Sequence, residues 1–151
     1  MNAEIHAAMD ALTSTVTRAL MDGAFVFCVP SDDASPLTGD IVFASVRLRA
    51  EGLSTLVTEL QFPADFARQL ALDTVGETDP VAVSDDDARD TLLELANVVA
   101  GGLASSVVPA GRLCRIDPPE PRSLAPASAA VSALVTDGGA RVRILLGAES
   151  A

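Results

Sequence analysis

SDDDARDTLLELANVVAGGLASSV, residues 84 to 107, reads as one long helix around which the rest of the chain can be arranged. Ser84 with Asp87 three positions on is a capping-box-like start, with Asp where Glu or Gln is more usual. Asp85, Asp86 and Asp87 lie at the positive end of the helix dipole, where negative charge is favoured. At 100° per residue, Asp87, Asp90, Glu94, Asn97, Gly101 and Ser105 fall within an arc of roughly 80°. Most of the remaining circumference is apolar: Leu92, Leu93, Leu95, Ala96, Val99, Ala100, Leu103 and Val107. A deeply packed helix with one narrow polar stripe follows. Such a stripe is ordinarily a solvent-facing strip, but two details ask for more. Glu94 and Asn97 stand one turn apart on one face, and Asn is a poor residue for a helix interior. Gly101 and Gly102 cost about 1 kcal/mol each relative to Ala at mid-helix, which points to close approach by another backbone.

The chain's 151 residues are one domain's worth, taken as 1–151, and a chain of that size buries about 70% of its unfolded surface. Trp and Tyr are absent, so the core is aliphatic with five Phe. Net charge is −11 and every basic side chain apart from His6 is Arg. That balance argues against a nucleic-acid or anionic-membrane surface. Glu4, Asp10, Arg18 and Asp22 interrupt the N-terminal segment, which does not read as a signal peptide, and no run approaches the ~18 apolar residues of a membrane span. A cytoplasmic location is expected. Cys28 and Cys114 are expected as buried free thiols rather than a disulfide.

Along the chain, Ile5, Met9, Leu12, Val16 and Ala19/Leu20 recur at helical spacing, giving a first helix from about Ala3 to Met21 ended by Gly23. Ala24 to Val29 is long enough for one buried strand, and Pro30 to Asp40 is loop by composition. Ile41 to Arg49 alternates strictly, Glu51-Gly52 turns the chain, and Leu53 to Phe62 returns as the second strand of a hairpin. Pro63 suits the start of a helix over Ala64 to Val75, stopped by Gly76. After the long helix come a strand-like Arg112 to Ile116 and a Pro-rich corner, Pro118 to Pro126. Ala129 to Thr136 and Ala140 to Leu146 then form a hairpin around Asp137-Gly138. The order implies an α+β domain, a largely antiparallel sheet with the long helix and the other helices packed on one face.

Much chemistry is excluded. The single histidine, His6, leaves no His-based metal site, and it reads as a solvated helix residue. Two isolated cysteines cannot make a structural zinc site, and no Gly-rich phosphate loop is present. Asp85-Asp86-Asp87 lacks the spacing and the Gly of a calcium loop, so capping is its better reading. Asp32-Asp33 reads as a solvated loop, and Arg141 and Arg143 as the wet face of the last strand.

Asp90-x-x-x-Glu94-x-x-Asn97, running into Val98-Val99-Ala100-Gly101-Gly102, resembles the signature of the CheC/CheX/FliY phosphatases of bacterial chemotaxis. That signature continues to a Pro after a further twenty-two residues. Here Pro119 comes after twenty-one and Pro121 after twenty-three, with Glu120 at the nominal position. The order of elements agrees with the CheX-type architecture over nearly the whole chain. Members with two sites carry a second Glu-x-x-Asn on the first helix; here Glu4 is followed by Ala7, so one site per chain is implied.

The resemblance implies a hydrolase acting on the aspartyl phosphate of a response-regulator receiver domain of the CheY type, in chemotaxis or another two-component pathway. It assigns Asn97 to orient the attacking water and Glu94 to anchor the phosphorylated partner, both as catalytic residues. Asp90 and Gly101 become partner contacts. No cofactor of its own is expected; Mg²⁺ belongs on the phosphorylated receiver. Homodimerisation through open sheet edges is implied as well. The alternative on the same fold is a non-catalytic docking module for a receiver or a flagellar-switch component. A third is a purely structural homodimer with an incidental stripe.

Overall fold

The computed structural model describes residues 3–149. Helix α1 (Ala3–Ala24) turns Ala8, Met9, Leu12, Val16 and Leu20 inward at the spacing read from sequence. Strands β1 (Cys28–Pro30), β2 (Ile41–Ala50) and β3 (Leu56–Pro63) follow, then α2 (Ala64–Val75), a single 3-10 turn at Pro80–Ala82, and α3 (Asp85–Val107). The chain closes with β4 (Cys114–Ile116), β5 (Ala130–Thr136) and β6 (Arg141–Ala148).

The strands form one sheet in the order β1-β5-β6-β3-β2-β4, every neighbouring pair antiparallel. Two hairpins, β2–β3 and β5–β6, meet where β3 pairs with β6 at the centre. Alternation along the strands sends Ala44, Val46, Leu60, Phe62, Val142, Ile144 and Leu146 to one face. There they join Leu92, Ala96, Val99 and Leu103 of α3 and the inner residues of α1 in one core cluster. The expected α+β architecture with helices on one face is the one observed.

The other face has no helix. Segments 31–37 and 117–126 cover it, and a buried carboxylate organises the second of these. Glu59 and Ser45, cross-strand partners, are both 0% exposed. Glu59 Oε1 accepts from Ser45 Oγ (3.0 Å), Ser123 Oγ (2.9 Å), and the N–H groups of Leu124 (2.9 Å) and Ala125 (3.1 Å). Its Oε2 accepts from Gln61 Nε2 at 2.6 Å. Burial alone pushes this carboxyl up, but the donors from Gln61, Ala125, Ser123 and Ser45 outweigh it and hold the pKa below its ordinary value.

Several local expectations are corrected. Gly23 does not end α1: the helix runs to Ala24, and Phe25 takes the left-handed conformation (φ 55°) that directs its N–H to Met21 O and that of Val26 to Leu20 O. The run after it therefore yields only a three-residue β1. The last turn spans 137–139, with positive φ at Gly139 and not Gly138, and the Gly139 N–H closes onto Thr136 O. That is the three-residue hairpin loop rather than the two-residue one. Arg141 and Arg143 are not solvated: they donate to the carbonyls of Asp33, Ser35 and Ala34 and strap segment 31–37 onto the sheet. Asp33 in turn accepts from the Ser35 N–H and hydroxyl. Cys114 is exposed, contrary to the expected burial, and Cys28 is half-buried. Both thiols are free. They sit on opposite sheet edges, five strand spacings or about 24 Å apart, far beyond the reach of a disulfide.

The glycines of α3 have different reasons to be there. A Cβ on Gly102 would lie 2.5 Å from Thr15 Cγ2 of α1, whereas one on Gly101 would meet nothing within 4 Å. Thr15 is held in place by its hydroxyl, which donates to Ala11 O at 2.8 Å. Gly102→Ala is expected to destabilise by about 1 kcal/mol net, overpacking of 1–3 kcal/mol exceeding the helix-propensity gain of about 1 kcal/mol. Gly101→Ala should stabilise by up to about 1 kcal/mol. Urea midpoints of the two variants, with Thr15→Ser added to Gly102→Ala as the relieving change, check the pair; equal midpoints for both glycine variants would refute it.

Glu59 generates a second test. Because its folded pKa is lowered, its contribution is fully present above the unfolded carboxylate range near pH ~4.3 and is lost as pH falls through the folded value. Glu59→Gln sets an N–H₂ against donors and should cost about 1–3 kcal/mol per group left unsatisfied at neutral pH. The gap between wild type and variant should then shrink on acidification below pH ~4. Denaturant titrations at several pH values measure this, and a variant as stable as wild type at pH 7 would contradict it.

Candidate functional site

α3 begins as its first residues dictate. Ser84 Oγ accepts from the Asp87 N–H at 3.1 Å, and Asp87 Oδ2 accepts from the Ser84 N–H at 2.8 Å. The reciprocal cap uses Asp87 in the position usually held by Glu. The hydrogen bonds with Ser84 keep the Asp87 carboxyl below its ordinary range. Arg68 of α2 pairs with Asp85 and also donates to Val83 O, tying α2 to the start of α3. With its N-terminus fixed and Leu92, Ala96, Val99 and Leu103 buried, the rotation of the helix is set. Its outward face is then determined.

That face presents Asp90, Glu94 and Asn97, all exposed, with Gly101 half-exposed one turn on. The structure thus brings the four sequence-identified residues together on one open stripe. The charges nearer the N-terminus are spoken for: Asp85 by Arg68, Asp86 by Arg89, Asp87 by Ser84. Ser105 and Ser106 turn back to the carbonyls of Gly101 and Gly102. Among the described residues, the side chains of Asp90, Glu94 and Asn97 have no partner in the molecule. Gly101 adds bare backbone beside them. Gly102 does not belong to this surface, since α1 packs on it.

Glu94 also stands at the lip of a groove of about 550 Å³ between α1, α2 and α3. Leu20, Leu70, Leu95 and Val98 supply apolar walls, while Arg18 and Asp22 of α1 face it from the other side. No sequence spacing had singled out Arg18; its relevance appears only when α1 lies against α3. Asn97 does not line the groove and projects from the neighbouring exposed face. A carboxylate at a groove with a free amide one turn away can hold a cationic group and orient a water, the amide both donating and accepting. It cannot hold a metal by itself. Among the described residues no group of three His, Cys, Asp or Glu side chains is placed to do so. His6 is exposed, and among the described residues no helix is long and apolar enough to cross a membrane.

The proline missing at the signature's nominal position has a structural reason here. Glu120 forms a β-bridge with Ser45 in which the Glu120 N–H donates to Ser45 O at 2.8 Å. Proline has no N–H to give. The Glu120 carboxylate further pairs with Arg47 at 3.0 Å. The bridge continues the β4 edge of the sheet beside β2, so the one-residue offset leaves the stripe untouched.

Comparison with known proteins agrees with this architecture. The CheX protein of Desulfovibrio desulfuricans superposes with a TM-score of 0.69 at 14% identity, over 94% of this chain and 99% of that one. CheX of Vibrio vulnificus gives 0.67 at 15%, over 97% and 100%. A CheX-CheY-BeF3-Mg complex from Borrelia burgdorferi gives 0.69 at 14%, over 95% and 98%. At these identities the likeness is one of fold. No curated protein matches in sequence. A sequence model of the family described as "Chemotaxis phosphatase CheX" matches residues 44–136, more than half of the chain and the whole of α3. With the sheet order, the helix layer and the Asp90–Glu94–Asn97 stripe in place, the chain belongs to the CheX family of chemotaxis phosphatases.

Proposed function

We propose that this protein hydrolyses the aspartyl phosphate of a CheY-type receiver domain, with α3 inserted at the receiver's phosphorylation site. The observation that carries the reading is the unpartnered stripe. In a helix whose other charged side chains are engaged, Asp90, Glu94 and Asn97 are left free and exposed on one face. Family membership supports it, and one solved relative is a complex of CheX with CheY, BeF3 and Mg.

The receiver brings its own Mg²⁺ and lysine to the acyl phosphate, so hydrolysis lacks a placed water. The water attacks phosphorus in line, the bond from phosphorus to the aspartyl oxygen breaks, and the aspartate leaves as a carboxylate. The water's protons pass to phosphate and solvent. A loose transition state of this kind needs positioning more than strong base catalysis. The Asn97 amide accepts from and donates to the water without taking its proton. Glu94, desolvated when the partner seats, pairs with the receiver's lysine and sets the helix in register. Asp90 and the bare backbone of Gly101 complete the contact.

The two residues are expected to separate in experiment. Asn97→Ala should leave partner binding nearly unchanged and reduce catalysed dephosphorylation by a factor of about 10². Glu94→Ala should weaken both binding and rate, by about 2 kcal/mol or more for a charge pair desolvated at an interface. Phosphate release from a phosphorylated receiver, followed with binding to its beryllofluoride form, measures both. A wild type that binds the receiver yet leaves its phosphate lifetime unchanged would replace catalysis with docking.

We also propose that two copies pair through a sheet edge. β1 and β4 end the sheet with three residues each, and Val29 and Leu113 are exposed beside those open backbones. Light scattering should give twice the chain mass; a monomer at high micromolar concentration would exclude the pairing.

A further inference from the structure

The chain holds ten arginines and no lysine. Nine of the ten make an ion pair or a hydrogen bond with an oxygen elsewhere in the molecule. The exception is Arg18. It is exposed on α1 and has no ion pair or hydrogen bond among the described residues. A solvated arginine on a helix is commonplace, but this one lines the groove whose opposite lip is Glu94. Asp22, one turn along α1, faces the same groove. Neither carboxylate is within 4.0 Å of the guanidinium, the limit for an ion pair.

A cation and an anion on facing walls, held apart among the apolar side chains of Leu20, Leu70 and Val98, are complementary to a surface that offers the opposite pair. Low-dielectric walls strengthen both fields at the groove. The guanidinium fork matches a carboxylate bidentately, which an ammonium cannot do. A further difficulty is met at the same place. A chain of net charge −11 repels an acidic partner, and a free arginine beside the docking helix is an attractive contact where the partner arrives.

We infer that Arg18 is a partner-recognition residue: when a phosphorylated receiver seats on α3, Arg18 binds one of its carboxylates across the groove from Glu94. The inference rests on the receiver reading above and adds a contact from a second helix. α1 thereby contributes to recognition although it lacks a Glu-x-x-Asn of its own. Arg18 does not touch the reacting atoms, so its effect belongs in affinity and not in turnover.

The test compares wild type, Arg18→Glu and Arg18→Lys on a CheY-type receiver, phosphorylated with a small acyl phosphate for kinetics and loaded with beryllofluoride and Mg²⁺ for calorimetry. Arg18→Glu should raise KM and Kd at least about threefold at low salt, with kcat within about twofold and the gap closing as salt is raised. Arg18→Lys should fall between wild type and Arg18→Glu, keeping the charge but losing the bidentate fork. A KM and Kd for Arg18→Glu less than about threefold above wild type would overturn the inference even where wild type is an active phosphatase. If wild type binds without hydrolysing, the phosphatase reading fails while the Kd series still decides the role of Arg18. If wild type neither binds nor hydrolyses, both fall for that receiver.

Discussion

A carboxylate with no exposed surface persists at the centre of a sheet only if donors meet its charge, and Glu59 is met by five. Much of the non-helical half of the molecule depends on this arrangement. An irregular segment laid over a sheet brings backbone N–H groups that find no ladder. Here Leu124 and Ala125 spend theirs on Glu59, Glu120 spends its own on Ser45, and Pro118, Pro119, Pro121 and Pro126 have none to satisfy. Arg143 performs the complementary task for segment 31–37, bridging Ala34 O and Gln61 Oε1. One face of the sheet is thus closed without a helix.

All three helices are consequently available for the other face, and α3 can lie with one side in the core and the opposite side unclaimed. Leu92, Ala96, Val99 and Leu103 fix its rotation, and Gly102 lets α1 approach closely at Thr15. The same close approach puts Arg18 and Glu94 on opposite walls of one groove. The packing of α1 on α3 and the placing of these two charges are therefore coupled through Gly102. Gly101, one residue earlier, packs against nothing and remains part of the open stripe. Two adjacent glycines that look alike in sequence serve two different surfaces.

The sequence by itself determined the elements whose signals are local. The period-3.6 apolar rows of α1 and α3, the Pro63 and Gly76 that bound α2, the alternation of β2, and the cap at Ser84 and Asp87 are each written within a few residues. Each was found where it was read. The stripe of Asp90, Glu94, Asn97 and Gly101 was legible for the same reason, since helical spacing alone puts those residues on one face. Signals depending on a choice between neighbouring residues were less secure. Gly23 looked like the end of α1, yet Phe25 takes the left-handed turn; Gly138 looked like the turn residue, yet Gly139 has the positive φ.

Only tertiary structure decided which polar residues are buried and which charges stay free. Nothing in alternating Leu-Val-Thr-Glu-Leu-Gln-Phe says that Glu59 lies inside, because its donors come from positions up to 66 residues away. Arg141 and Arg143 have the pattern of a wet strand face, and it is the distant loop 31–37 that claims them. Cys114 follows the apolar Leu113 in sequence but lies on a sheet edge in the fold. Arg18 is one arginine among ten until every other has found an ion-pair or hydrogen-bond partner. Spacing along the chain fixes what shares a face; what meets that face across space is set by long-range pairing, and that pairing leaves no local periodicity to read.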